Sequence, residues 1–446
     1  MNKGNLTEGP IAKPLVVFML PLLLSNILQQ LYNMADTIIV GRFAGIEALA
    51  GVGAGYSLSN VYITVALGLG IGASVLAGQY FGAGRYDDMK RTISTSLLTF
   101  VLSAVVLMTL SLVFLRQILT ALRVPSDAFE SAYDYMKIIL LGLPFVFAYN
   151  DIASTFNALG KSKYPLAFLV VSVFFNVILD LLFVVRFSMG AFGAALATVI
   201  AQGISAALSF VLLLVELTHY QTQGRTRIFD ASLVRKILNL AIPSMVCNTV
   251  ISFGMMVVQA AVNVFGSEYL AGYAAAMRID GITAAPYVAI SSALSAFVAQ
   301  NIGAKKYDRI PKALHISTAI MVGFTVVLGG SVILFKRQMI GAFLGGTVSE
   351  IAMFVGCGYA GFCSWFFVLL GLKIVFDGIL RGAGDMKLFM IANVVNLAIR
   401  ISVSYALSPI YGVQVIWYAV PIGWAACVIM EGIRVASGKW KTIKAM

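Results

Sequence analysis

Twelve stretches of about 20 mostly apolar residues follow one another along this chain, centred near residues 26, 62, 103, 144, 175, 202, 249, 285, 323, 368, 397 and 423. A segment of that length crosses a bilayer as an α-helix, because a helix satisfies its own backbone polar groups where there is no water. Only 11% of the 446 residues are charged and 60% are hydrophobic, with a mean hydropathy of +0.92. Soluble domains carry about 25% charged residues, so a water-soluble fold is excluded.

The spans come in two matching sets. QYFGAGRYD at 79–87 returns as QNIGAKKYD at 300–308, so Gln79, Gly82, Ala83, Tyr86 and Asp87 recur as Gln300, Gly303, Ala304, Tyr307 and Asp308. Pro21 and Asn26 recur as Pro243 and Asn248, NALGKSK (157–163) as RGAGDMK (381–387), and Asn176 as Asn396. One unit used twice predicts lobes of six spans each, 1–220 and 221–446, joined by a basic stretch around 217–236. Six is even, so the repeats run parallel. The expected fold is all-α: twelve transmembrane helices in two six-helix bundles related by a pseudo-two-fold axis along the membrane normal, facing a central cavity.

The +12 net charge is explained by its placement rather than by nucleic acid, which is not expected as a partner. With both termini in the cytoplasm, 21 cations fall in cytoplasmic loops and tails, from Lys3 and Lys13 to Lys441 and Lys444. Only Arg42, Arg116, Arg123, Lys137, Arg186, Arg278, Lys336 and Arg337 fall on the other side. That is the positive-inside bias of a multi-pass membrane protein with both termini cytoplasmic, and a monomer in the lipid bilayer is expected. No A-x-A site follows the first span, which is read as a retained helix.

Several chemistries are excluded. Cys247, Cys357, Cys363 and Cys427 lack paired spacing, so neither disulfides nor a metal site is expected. GLGIG (68–72) has no following Lys, so it is read as close helix packing rather than a phosphate loop. With His219 and His315 placed at loops and no catalytic set, the chain is not expected to be an enzyme or to need a cofactor beyond a coupling ion.

Charges within spans cost at least about 2.5–3.5 kcal/mol each and need a reason. Asp36, Asp151, Asp180, Lys373, Asp377 and Arg400 stand out, with Asp280 and Glu431 nearer span ends. Asn26, Gln29 or Gln30, Asn33 and Asp36 or Thr37 step by three or four along span 1, so they share a face that must look into protein or a cavity. Asn176 and Asp180 share a face of span 5, as Thr198 and Gln202 do in span 6. Two carboxylates with no cation of their own suit H⁺ uptake or a desolvated Na⁺ equally well. Asp377 has Lys373 one turn back, so an ion pair is expected, with a direct substrate or ion role as the alternative. Span 7 carries Asn248, Ser252, Gln259 and Asn263 beside Met255 and Met256. Where the repeats disagree, Val258 answers Asp36 and Arg400 answers Asp180. Pro21 prepares a bend in span 1, static or moving.

Pro21 with LQQLYNMADTIIVGR (28–42), GQYFGAGR (78–85), NVILD (176–180) and RID…QNIGA (278–304) resembles the multidrug and toxic compound extrusion (MATE) family across the whole chain. The resemblance implies an antiporter that exports small organic compounds, often cationic or amphipathic, against inward H⁺ or Na⁺, by alternating access. Within the family the pattern is similar to the prokaryotic branch of damage-inducible protein F. That likeness implies cation coupling by Asp36, Asn176, Asp180 and Thr198, and a hinge at Pro21. Gln29, Asn33, Asn150, Asp151, Gln259, Asp377 and Arg400 are the expected substrate-cavity residues. Asp151 and Arg400 are additional to the pattern and would admit zwitterionic or anionic substrates. A lipid or lipid-linked oligosaccharide flippase of the same superfamily is the alternative, and it would call for more cavity cations than Lys373 and Arg400.

Overall fold

The computed structural model describes residues 4–43, 46–122, 124–126, 128–222, 227–344 and 349–443, without the side chains at 35, 37, 38, 46–50, 54, 56 and 57. Lys3, Arg123, Arg225 and Lys444 of the charge pattern, and the Thr37 side chain of the polar stripe, lie outside the described residues. Among those residues every regular element is helical. The first half holds α1 (Ala12–Phe43), α2 (Ile46–Gly82), α3 (Tyr86–Val113), α4 (Leu115–Ala121), α5 (Phe129–Leu141), α6 (Leu143–Ala158), α7 (Lys163–Asp180, continued by a π-turn over Leu181–Arg186) and α8 (Gly190–Thr218). The second holds α9 (Ala231–Asn263), α10 (Ser267–Gly303), α11 (Arg309–Leu344), α12 (Glu350–Trp365), α13 (Phe367–Ala383), α14 (Met386–Tyr411) and α15 (Gln414–Ala436). His315 lies inside α11 rather than at a loop, because the helix already begins at Arg309.

Ten of these helices, α7 counted with its π-turn, are long and apolar enough to span a membrane. The pairs α5–α6 and α12–α13 qualify together but bend by 49° and 59°, so counting each as one broken span gives twelve. In α5–α6 the break falls at Gly142, with Pro144 in the first turn of α6. Proline has no N–H to return to the preceding turn, so the helix restarts there.

The chain packs as two compact units. Among the described residues, one comprises Gly4, Asn5 and Leu24–Met245; the other comprises Leu6–Leu23 and residues 246–443. This division by packing differs from the sequence halves 1–220 and 221–446. The boundary falls within α1 after Leu23 and within α9 after Met245, in each case two residues past a proline, Pro21 or Pro243.

Each unit is built the same way. In the first, α2 packs on α3, α5 and α6, and α7 pairs with α8; in the second, α10 packs on α11, α12 and α13, and α14 pairs with α15. The spans in α2 and α10 are the most enclosed, while α3 and α11 keep Leu102, Val326 and Leu334 exposed. Hydrocarbon around such side chains costs nothing that water would. The repeated phrase makes the turn after these core helices. There Gly84 and its counterpart Lys305 both adopt left-handed backbone, φ 71° and 58°, which costs a lysine roughly 1–2 kcal/mol. In the second unit the phrase also fastens the N-terminal segment. Gln300 Oε1 accepts from Leu6 N at 2.8 Å, Asn301 Nδ2 donates to Leu6 O at 3.2 Å, and Lys306 Nζ donates to Thr7 O at 3.0 Å.

Candidate functional site

The first unit encloses a cavity of about 400 Å³. Asn26, Gln29 and Asn33 of α1, Asn60 of α2, Tyr149 and Asn150 of α6, Ser172 of α7 and Gln202 of α8 line it, between Ile63, Leu67, Val146, Leu169 and Val173. No charged side chain lines it among the described residues. Six carboxamides that donate and accept, set in apolar walls, suit ligands of varied shape and polarity. The sequence picked out the α1 stripe and Asn150; Asn60 and Tyr149 were missed, and the signal for Asn60 was a lone carboxamide in mid-span.

One turn beyond Asn33, the Asp36 carboxyl meets the Asp180 carboxyl side chain to side chain. Asp180 is fully buried at the end of α7, where the helix widens into the π-turn, a distortion often found at functional sites. Asn176, one turn earlier on α7, is buried too, and its Nδ2 reaches Thr198 Oγ1 on α8 at 3.4 Å. Asp36 Oδ1, both carboxyl oxygens of Asp180 and Asn176 Oδ1 are buried with no donor among the described residues. Buried acceptors left unpaired are costly, and an all-oxygen group of this kind is satisfied by a proton or a hard cation. The four expected coupling residues therefore lie together.

Asp151 goes elsewhere. It is buried on α6 and its Oδ2 accepts from Ser96 Oγ of α3 at 2.9 Å, away from the cavity lining. In the second unit Lys373 Nζ lies 2.7 Å from Asp377 Oδ2 on the same helix, and Asn393 Nδ2 of α14 donates to Asp377 Oδ1 at 3.2 Å. Glu431 of α15, fully buried, also meets the Asp377 carboxyl, and no donor among the described residues reaches its oxygens. A cavity of about 320 Å³ in this unit is lined by Lys373 and Arg400 but not by Asp377 or Gln259, which is exposed on α9. Pro21 is buried inside α1, which runs unbroken through it.

Comparison with known proteins agrees with this architecture. The MatE family model matches twice, over residues 21–182 and 243–406, together well over half of the chain. The probable multidrug resistance proteins YpnP and YoeA of Bacillus subtilis (strain 168) are 27% and 26% identical. Those alignments cover 100% and 95% of this chain and 99% and 93% of theirs. A solved MOP superfamily transporter from Pyrococcus furiosus, 20% identical, superposes with a TM-score of 0.91 over 98% of this chain and 99% of that one. The chain belongs to the MatE family of transporters and is a multi-pass membrane protein.

Proposed function

We propose that this chain is a secondary active antiporter that exports small organic, cationic or amphipathic compounds in exchange for H⁺ or Na⁺, by alternating access. The observation that carries the reading is the facing pair Asp36 and Asp180, with Asn176 and Thr198 beside it, where Asp36 Oδ1, both Asp180 oxygens and Asn176 Oδ1 meet no donor among the described residues. Relatives named as multidrug resistance proteins support the substrate class. One charge crossing the membrane is worth roughly 2.3 kcal/mol per 100 mV, about a fifty-fold substrate gradient, so one or two cations suffice without ATP. The cation must bind one access state better than the other, since equal affinity drives nothing. Pro21 acts as the hinge, at the point where α1 passes from one packing unit into the other. The protein works as a monomer in the inner membrane of a bacterial or archaeal cell, with both termini cytoplasmic.

The test is export of a fluorescent organic cation such as ethidium from proteoliposomes under imposed pH or Na⁺ gradients, for wild type, Asp36→Asn and Asp180→Asn. Loss of gradient-driven export in the variants is expected. Unchanged export in both would sink the coupling assignment.

A further inference from the structure

We propose that the cavity of the second unit binds the carboxylate or phosphate group of an amphiphilic organic ligand through Arg400. Two of the three charged side chains in that lining are already partnered. Lys373 is neutralised by Asp377 at 2.7 Å. Asp280, also in the lining, accepts from Tyr359 Oη at 2.9 Å through its Oδ2. Arg400 alone of the lining cations has no ion pair or hydrogen bond among the described residues, and its Nε is buried. It feels the Asp280 charge, but through space rather than in a paired geometry.

A guanidinium has five donors and no acceptor, and it stays charged in any site. Holding one half-buried and unpaired in a membrane protein is costly unless something else completes it. The partner that matches its planar fork is a carboxylate or phosphate, which takes two parallel N–H bonds. The rest of the lining describes the remainder of the ligand. Asn396, one turn before Arg400 on α14, and Asn393 another turn back add neutral polar side chains to the lining. Trp424, Met255, Met277 and Ile251 supply an adaptable apolar wall. Among the described residues the first unit's cavity is lined by neutral groups, so the two units present different chemistry. This inference rests on the exporter reading for its physiological meaning, and it extends the substrate class to organic anions and zwitterions.

The test is equilibrium binding to the full chain in neutral phosphatidylcholine nanodiscs, by calorimetry. The probes are 1-naphthyl phosphate, 1-naphthoate and neutral 1-naphthylmethanol. The two anions should bind wild type at least about tenfold more tightly than the alcohol. Arg400→Gln should lose that preference, and Arg400→Lys should keep part of it. Anion binding no tighter than alcohol binding in wild type would overturn the proposal, and this arm needs no variant. So would an Arg400→Gln protein that runs as a monodisperse peak and keeps its anion affinity. Repeating the titration with anionic lipid in the nanodisc separates the sources: competition assigns the site to a lipid headgroup, its absence to a soluble amphiphile. No gradient is imposed, so a failed antiport assay leaves this result standing, and the reverse also holds.

Discussion

Lys161 Nζ lies 2.5 Å from Glu216 Oε1 in the first unit, joining the turn before α7 to the last turn of α8. The corresponding places in the second unit are filled by Asp385, before α14, and Arg434, in the last turn of α15, at 2.6 Å. The same joint is therefore built twice with its charges exchanged. Glu216 and Asp385 are both buried, so removing either cation strands a carboxylate. Lys161→Asp should destabilise the protein by about 3–5 kcal/mol, read as a lowered melting temperature in detergent. The double reversal Lys161→Asp with Glu216→Arg should recover most of it. A deficit of about 1 kcal/mol should remain, because Tyr220 Oη now donates to Glu216 at 2.8 Å and would lose its acceptor. No recovery in the double variant would mean that the joint depends on its polarity.

A second exchange concerns packing. Gly70 of α2 faces Ser154 of α6, and at the matching positions Ser291 of α10 faces Gly378 of α13. A methyl group on Gly70 would stand 2.7 Å from Ser154 Oγ, a side chain that can be trimmed. On Gly378 it would stand 2.8 Å from the backbone oxygen of Ser291, which cannot. Both alanine variants should cost about 1–3 kcal/mol. Ser154→Gly should rescue Gly70→Ala, whereas Ser291→Gly should fail to rescue Gly378→Ala. Thermal melting of the four proteins checks this.

Asp230, just before α9 and outside the membrane spans, gives a pH-dependent case. The Ser232 hydroxyl and backbone N–H both donate to its Oδ1, at 2.7 and 2.9 Å, and Arg91 lies 3.6 Å away. These donors, the Ser232 hydroxyl first, hold its pKa below the usual aspartate value. A depressed folded-state pKa means stability that is present above the unfolded value and lost as pH falls through the folded one. Asp230→Ala should therefore lower the melting temperature modestly at neutral pH, through loss of the cap. The gap from wild type should close below the usual aspartate range. A constant gap at every pH would assign the effect to packing instead.

What the sequence disclosed follows the range of each interaction. Span count and repeat were legible because they depend on local hydropathy and on residues copied at fixed offsets, as Gln79 and Gln300 were. The Lys373–Asp377 pair was legible because both ends sit on one helix. Asp151 and Asp180 looked alike in the chain, each an aspartate in an apolar span. What separates them is a neighbour distant in sequence: Ser96 donates to the first, and Asp36 confronts the second. The break between α12 and α13 carries no proline to announce it, and the meeting of Asp377 with Glu431 depends on α15 packing against α13. The packing boundary within α1 and α9 likewise follows from long-range contacts, although Pro21 and Pro243 mark its place.

Separating coupling from folding is possible at Asp180. Its two oxygens find no donor among the described residues, while the Asp36 carboxyl beside it is an acceptor. Asp180→Asn adds an N–H₂ where a donor is lacking, and a hydrogen bond to a charged partner contributes about 1.5–3 kcal/mol. The variant should melt at or above the wild-type temperature and still lose at least about tenfold in gradient-driven export. Asp180→Ala supplies no donor, so it should lose export without the gain in melting temperature. If Asp180→Asn lowered stability and export together, a structural role would account for both. Retained export at raised stability would leave Asp36 to carry the coupling ion without Asp180.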